Sequence, residues 1–379
     1  MFSQHNLFET DLANQGNPHR LITASNSGRV INVIQGEIAH CTPSQADILV
    51  SDDATTCHIV ALRSICSRNI LGKDTVLATM THLDGPGYET CLRDAVMEHI
   101  KHHNKGDLEM NQECTAIEEC IENTYSEKNH RRRIDISIHI MGGFNDKGGT
   151  SIEITDDILQ IFSRMAREFE DYISPPNSFD SLHQKVESFW RTKPRICMKL
   201  QTCVVCEAND DGTECPVGRG LAMEVASGKV FLAEVEDNST NPFKNDMSTV
   251  NHQPQFAEGP EALLRSVRLW ASSFYSTGSM HKRRLVIIHR ADHECFVIEP
   301  FLFGPHPSAT LLMCMDDSRL RHMTSTSPLV EKNNFSFKVR ESLRFMNQTN
   351  SRSVFDVING AYQPIEFRRV GLNGWVTNK

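Results

Sequence analysis

The segment IDISIHI (134–140) has isoleucine at every second position, with polar side chains between them. Because successive side chains of a β-strand point to opposite faces, this alternation predicts a strand with one buried and one polar face. Apolar runs predict further strands before and after it in the sequence. We expect these strands at residues 30–34, 47–50, 58–62, 75–81, 196–206, 220–225, 230–235, 285–289, 295–299 and 310–315.

Helices are fewer than strands in this pattern. Apolar side chains recur at helical spacing from Thr155 to Phe169, after Pro260, and over residues 335–345. Strands followed by separate helices are typical of α+β proteins. We therefore predict mixed sheets covered on one side by helices.

The chain is expected to form one large domain behind an N-terminal arm. Its 379 residues are enough to bury a sizeable core. Residues 1–29 have no clear periodicity and predict a loose arm, whereas residues 30–379 carry the predicted strands and helices. Within that domain we expect surface insertions near residues 109–133, 175–191 and 237–254, which are charged or rich in turn-forming residues.

Charge and cysteine usage restrict the location and the partners. The chain has 39 Lys and Arg against 48 Asp and Glu, a net charge of −9, which argues against a nucleic-acid binder. No apolar run reaches the ~20 residues of a membrane span, and the first residues do not resemble a secretory signal. We expect a monomer of the cytoplasm, or also the nucleus, whose twelve cysteines are mostly reduced and which binds no membrane.

Two short segments carry the residues best suited to catalysis: SDDATTCHIV (51–60) and THLDG (81–85). Cys57 begins one predicted strand, and His82 ends the next. If the two strands pair antiparallel, the start of one lies beside the end of the other. Ser51 leaves the preceding strand at the same end, so a thiol, an imidazole and a hydroxyl can converge there.

This combination is typical of a cysteine nucleophile. Histidine can keep a neighbouring thiol partly as thiolate, which attacks carbonyl carbon, and a third group then orients the imidazole. By spacing alone, a small core cysteine and a surface or capping histidine are the more common explanation. His58 is a second candidate base, but as the immediate neighbour of Cys57 in a strand it is expected on the opposite face.

The segment 51–60 resembles the signature of the protein N-terminal asparagine amidohydrolase family, whose members deamidate N-terminal asparagine. Other matching segments follow in the family's order, from about residue 30 to the C-terminus: THLDG (81–85), GGFND (142–146), STSPL (325–329) and LRFM (343–346). That family is similar to cysteine hydrolases related to cytotoxic necrotising factor and to the chemoreceptor glutamine deamidases. These share an α-β-β sandwich and a Cys-His-Ser/Thr triad.

The resemblance implies a role for each candidate residue. Cys57 matches the nucleophile, His82 the general base, and Ser51 the hydroxyl that orients the histidine. It also implies release of ammonia, an aspartate product and no cofactor. An arginyltransferase would then commit the product to ubiquitin-dependent degradation through the N-degron pathway.

Substrate recognition is expected to depend on the free α-ammonium group, which a carboxylate at fixed distance would select. Asp52, Asp53 and Asp84 are candidates for that carboxylate, and each can equally be a loop cap or a solvated acid. Backbone N–H groups at Thr56 and Cys57 are the candidate oxyanion donors.

Other motifs are better explained by structural roles than by catalysis or metal binding. CVVC (203–206) with Cys215 lacks the four ligands that zinc usually needs, so we predict no metal site. The basic runs at 131–133 and 282–284 are interpreted as solvated loop charges. Two other functions stay open: a protein glutamine deamidase, and a catalytically silent adaptor that binds protein N-termini.

Overall fold

The computed structural model describes residues 20–23, 28–66, 75–113, 133–171, 195–235, 262–275, 285–371 and 374–377. The strands are β1 (Arg20–Ile22), β2 (Val30–Asn32), β3 (Glu37–Cys41), β4 (Ile48–Ser51), β5 (His58–Cys66), β6 (Thr75–Leu83), β7 (Arg133–Gly142), β8 (Arg195–Val205), β9 (Leu221–Glu224), β10 (Val230–Val235), β11 (Val286–Arg290), β12 (His293–Ile298), β13 (Val357–Ile358), β14 (Ala361–Tyr362), β15 (Ile365–Val370) and β16 (Gly374–Thr377).

Seven α-helices are present in the described residues. They are α1 (Glu89–Glu113), α2 (Thr150–Asp171), α3 (Ala262–Tyr275), α4 (Pro307–Met313), α5 (Asp317–Thr324), α6 (Phe335–Gln348) and α7 (Ser351–Val354). A short 3₁₀-helix, Cys206–Asn209, follows β8. Within the described part of the chain, no helix is long and apolar enough to cross a bilayer.

The strands form two mixed sheets and a small hairpin of β13 and β14. The large sheet has nine strands in the order β16-β15-β12-β11-β3-β6-β5-β7-β8, and the small sheet has five in the order β1-β10-β9-β4-β2. At the centre of the large sheet, β5 pairs antiparallel with both β6 and β7. The segment IDISIHI lies in β7, so the strand predicted from its alternation is confirmed.

The two faces of the large sheet are buried in different cores. Ile59 and Met80 face a core shared with Leu49 of the small sheet. Val60 and Leu62, on the opposite face of β5, pack in a second core with α1 and α2. A helical layer, a large sheet and a small sheet therefore follow one another, which confirms the predicted α+β class and the α-β-β sandwich.

The helical layer on one side of the large sheet, expected from the sequence, is formed by α1 and α2. The structure adds a second group of helices on the other side, beside the small sheet. Apolar residues of α3, α5 and α6, among them Val267, Leu320 and Leu343, belong to the core between the two sheets.

Most predicted strands are found within a few residues of their expected positions, and one wrong prediction has a local cause. The strand predicted at 310–315 is wrong, because this segment belongs to helix α4. His306 caps that helix, its Nδ1 accepting the Ser308 N–H at 3.2 Å, and Pro307 occupies the first turn, where its missing N–H costs nothing. Strands β1, β3 and β13 to β16 and helices α1, α4, α5 and α7 were not predicted.

The predicted arm and insertions fall largely outside the described residues. Arg20–Ile22, within the expected arm, forms β1 and pairs in parallel with β10, and Ile22 is fully buried. Residues 1–19 and 24–27 lie outside the described part of the chain, as do residues 175–191, 237–254 and most of 109–133.

Candidate active site

The pairing of β5 with β6 determines where the candidate catalytic residues lie. His82 is opposite Ile59 in this antiparallel pair, and Cys57 immediately precedes β5, two positions before Ile59. Cys57 and His82 therefore lie at the same end of the β5–β6 pair, as the antiparallel arrangement requires.

A hydrogen bond joins Ser51 to His82 across the two sheets. Ser51 is the last residue of β4 in the small sheet, and its Oγ lies 2.9 Å from Nδ1 of His82 in the large sheet. Both side chains are buried. The structure thus brings together the hydroxyl and the imidazole that the sequence analysis singled out.

Burial keeps the His82 ring neutral. It lowers the pKa of His82 from 6.5 to about 4, although the negative charge of nearby Asp84 acts in the opposite direction. Nδ1 is bonded to Ser51, whereas Nε2 has no hydrogen-bond partner among the described residues. A neutral ring protonated on Nδ1 offers its lone pair at Nε2, as a general base must.

The backbone of Cys57 is held by the end of β7. Its carbonyl oxygen accepts the N–H of Gly143 at 3.0 Å. A Cβ on Gly142 would lie 2.2 Å from the same carbonyl oxygen, and one on Gly143 would lie 2.9 Å from Cε1 of His58. Glycine is therefore required at both positions for β7 to approach the cysteine this closely. The Cys57 side chain is partly buried and packs against the core between the sheets.

His58 belongs to a different environment. Its Nε2 lies 2.7 Å from Oγ1 of Thr155, in helix α2 on the far side of the large sheet. Burial lowers its pKa to about 4 as well. His58 thus faces away from Ser51 and His82, as strand alternation predicts.

Residues 52–56, here called the nucleophile loop, connect Ser51 to Cys57. The 325–329 segment, some 270 residues later in the chain, holds this loop by two hydroxyl contacts. Thr326 Oγ1 lies 2.6 Å from Thr56 Oγ1, and Ser327 Oγ donates to Thr55 Oγ1 at 2.7 Å. The STSPL motif, recognised in the sequence only as a family likeness, therefore contacts the loop that precedes Cys57.

Two of the three candidate acids are paired with lysines. Lys332 Nζ lies 3.0 Å from Oδ2 of Asp52 and 2.7 Å from Oδ1 of Asp53, and Lys338 Nζ lies 3.4 Å from Oδ2 of Asp53. These lysines were not identified from the sequence, since no local pattern relates them to residues about 280 positions earlier.

Asp84 has a different environment. Its carboxylate accepts a hydrogen bond from the Tyr88 hydroxyl and one from Gln35 Nε2 at 3.1 Å. Both donors are uncharged side chains, and Asp84 is two residues beyond His82. Tyr88 is a further site residue that sequence reasoning missed, because its helix, α1, was itself not predicted.

No metal site is formed in the part of the chain that the structure describes, where no three His, Cys, Asp or Glu side chains are grouped to hold an ion. Of the CVVC motif, Cys203 lies in β8 and Cys206 begins the 3₁₀-helix, with its Sγ 3.2 Å from Thr155 Oγ1. Burial raises the pKa of both thiols, which disfavours the thiolate that binds metals.

Comparison with known proteins identifies the family of this chain. The family described as "Protein N-terminal asparagine amidohydrolase" matches residues 21–112 and 106–377. Curated relatives of that name from Homo sapiens, Sus scrofa and Mus musculus are each 24% identical over 324 residues. The aligned region covers 84% of this chain and 75% of each relative. The chain therefore belongs to the protein N-terminal asparagine amidohydrolase family, whose members are hydrolases of amide bonds.

Proposed function

We propose that this protein converts N-terminal asparagine to aspartate, with Cys57 as nucleophile, His82 as general base and Ser51 as the group that orients the histidine. The observation that carries the proposal is the Ser51–His82 hydrogen bond at the end of the β5–β6 pair, next to Cys57. Family membership supports the same reaction.

The reaction proceeds through an acyl-enzyme. Nε2 of His82 takes the thiol proton while Sγ of Cys57 attacks the carboxamide carbon of the asparagine side chain. Collapse of the tetrahedral intermediate transfers that proton to the leaving amide nitrogen and releases ammonia. His82 then removes a proton from water, and the oxygen of that water attacks the thioester to give aspartate. His82 returns the proton to the sulfur of Cys57.

We assign stabilisation of the oxyanion in the tetrahedral intermediate to the backbone N–H groups of Thr56 and Cys57. Donors positioned in advance are worth about 3–4 kcal/mol each in such sites. The contact between the Thr56 and Thr326 hydroxyls and the Gly143 bond to Cys57 O support this assignment, because they fix the backbone on both sides of the proposed donors.

Asp84 is the best of the three candidates for the α-ammonium group of the substrate. Asp52 and Asp53 are each paired with lysine, so an incoming ammonium would have to compete with a cation already in place. Asp84 accepts hydrogen bonds from Tyr88 and Gln35, which orient its carboxylate, and it is two residues beyond His82.

Ammonia release from matched peptides tests the substrate assignment. We expect turnover of a peptide that begins with asparagine, and none when the same peptide is N-acetylated. The matched glutamine peptide should react at least tenfold more slowly. Preference for glutamine would indicate the glutamine deamidase function. Turnover of the acetylated peptide would contradict recognition of the α-ammonium group, and no ammonia from any peptide would favour the silent adaptor.

An Asp84→Asn variant tests the assigned anchor. A charge-assisted hydrogen bond is worth about 1.5–3 kcal/mol, so KM should rise about 10- to 100-fold, with a smaller change in kcat. Asp135→Asn removes an exposed carboxylate on β7 and serves as the matched control, with unchanged constants. An unchanged KM for Asp84→Asn would show that another group binds the α-ammonium of the substrate.

The cellular setting belongs to the same proposal. The aspartate product would be a substrate for an arginyltransferase and so enter the N-degron pathway and ubiquitin-dependent degradation. We place the enzyme in the cytoplasm, or also in the nucleus, and as a monomer. Size-exclusion chromatography with light scattering tests the last point.

A further inference from the structure

The nucleophile loop links two groups of the proposed machinery that belong to different sheets. Ser51 ends β4 of the small sheet, and Cys57 precedes β5 of the large sheet. The conformation of residues 52–56 therefore determines how far the hydroxyl that orients His82 lies from the thiol. Asp53 adopts a left-handed backbone conformation, with φ of 61°. Residues other than glycine seldom adopt that conformation unless their surroundings impose it.

One side chain bridges the two consecutive carboxylates of this loop. Lys332 Nζ contacts Asp52 Oδ2 at 3.0 Å, Asp53 Oδ1 at 2.7 Å and Glu234 Oε1 at 3.3 Å. The Asp52 side chain is only 7% exposed and also accepts the N–H of Val235 at 3.0 Å. The bridge is thus partly shielded from water, which makes it stronger than a typical surface ion pair.

Without the lysine, the two carboxylates would oppose the observed loop conformation. Burial raises the pKa of Asp52, and the adjacent charge of Asp53 acts in the same direction. The charge of Lys332 opposes this rise, although the pKa of Asp52 stays raised. The charges of Lys338 and Lys332 together lower the pKa of Asp53, and Lys338 Nζ lies 3.4 Å from its Oδ2. Two like charges on neighbouring residues repel unless a cation lies between them.

We propose that Lys332 is a positioning residue for the reaction: by bridging Asp52 and Asp53 it holds the loop that places Ser51 and His82 against Cys57. The inference rests on the proposed function only for the identity of the reaction. It assigns Asp52 and Asp53 to the architecture of the site instead of to substrate binding. A residue of this kind acts on kcat, since it does not touch the substrate.

Lys332→Ala, Lys332→Arg and Lys199→Ala form the test set. Lys199 is an exposed lysine of the outer strand β8 and serves as the matched control. For each variant, kcat and KM are measured with the asparagine peptide, and kcat is expressed per folded molecule, with the folded fraction determined by circular dichroism. This normalisation removes any loss due only to a smaller folded fraction.

We expect kcat per folded molecule to fall about 10- to 100-fold in Lys332→Ala, with KM within about twofold of the wild-type value. Arginine can also span two carboxylates, so Lys332→Arg should recover most of the rate. The proposal is overturned if Lys332→Ala keeps a wild-type kcat per folded molecule, if only KM changes, or if Lys199→Ala loses as much activity.

Two further measurements keep the test decisive. Should Lys332→Ala fail to fold, Asp53→Asn removes one contact of the bridge while keeping a residue type that tolerates positive φ, and a reduced kcat is expected. The pH dependence of Cys57 alkylation is measured without substrate, and loss of the bridge should change its rate or its midpoint. If the wild-type enzyme released no ammonia, the proposed function would fail, while an unchanged alkylation profile would refute the role of Lys332 separately.

Discussion

In the proposed mechanism, the hydroxyl of Ser51 determines which nitrogen of His82 is available to the thiol. When Nδ1 donates its proton to Ser51 Oγ, 2.9 Å away, the lone pair of the neutral ring is on Nε2. Loss of a buried hydrogen bond of this kind costs about 1–3 kcal/mol. We therefore expect Ser51→Ala to lower kcat about 10- to 100-fold with little change in KM, in steady-state assays of ammonia release.

Ser272→Ala is the matched control for this prediction, because Ser272 is an exposed serine on α3 and should give wild-type constants. A wild-type kcat for Ser51→Ala would show that the hydroxyl does not orient the base.

The sequence identified the candidates at the residue scale but not their long-range partners. The positions of Ser51, Cys57 and His82 at strand ends follow from local apolar patterns, so their grouping at one end could be predicted. The ion pairs of Asp52 and Asp53 could not, because Lys332 is 280 residues away and nothing local relates the two segments. Without an alignment of relatives, charge alone made each acid a plausible ammonium ligand.

At the scale of elements, the turn after β7 positions Cys57, the proposed nucleophile. Gly143 and Gly149 both have positive φ, 65° and 71°, but only Gly143 is crowded, with a prospective Cβ 2.7 Å from Ser151 Cβ. Gly143→Ala should therefore destabilise the protein by about 1–3 kcal/mol more than Gly149→Ala and lower kcat. Urea unfolding and ammonia release measure both effects. Equal losses of stability and of kcat in the two variants would mean that strain from the positive φ, and not crowding at Gly143, is responsible.

Strands were easier to predict than helices, and α1 shows why. Its buried face contains Leu92 and Val96 but continues with His99 and His103, which interrupt the apolar stripe. Both histidines can be buried because their ring nitrogens form hydrogen bonds with a hydroxyl group. Ser64 Oγ lies 2.7 Å from His99 Nδ1 and from His103 Nε2. A polar network of this kind has no signature in hydrophobic periodicity, whereas β5 and β7 are buried through apolar residues at regular spacing.

For the whole molecule, buried histidines make stability depend on pH. Burial lowers the pKa to about 4 in five of them: His40, His58, His82, His139 and His289. In the unfolded chain these groups titrate near pH 6.5. Between pH 6.5 and 4 the unfolded chain therefore binds more protons than the folded one, and the free energy of unfolding falls as the pH is lowered.

The expected size of this effect follows from about 1.4 kcal/mol per pKa unit, or up to about 3 kcal/mol for one such histidine. Urea unfolding between pH 7.5 and 4.5 should show little change above pH 6.5 and a steep loss below it. Equal unfolding free energies at pH 7 and pH 5 would contradict burial of these rings in neutral form.

The most direct measurement compares ammonia release from an asparagine-initiated peptide by the wild-type enzyme, Cys57→Ala and Cys314→Ala. Cys314 is an exposed cysteine and serves as the control for loss of a thiol. We predict that Cys57→Ala lowers kcat by at least about 10³-fold while retaining the wild-type fold by circular dichroism, and that Cys314→Ala is unaffected. A folded Cys57→Ala enzyme that still releases ammonia at the wild-type rate would contradict the account.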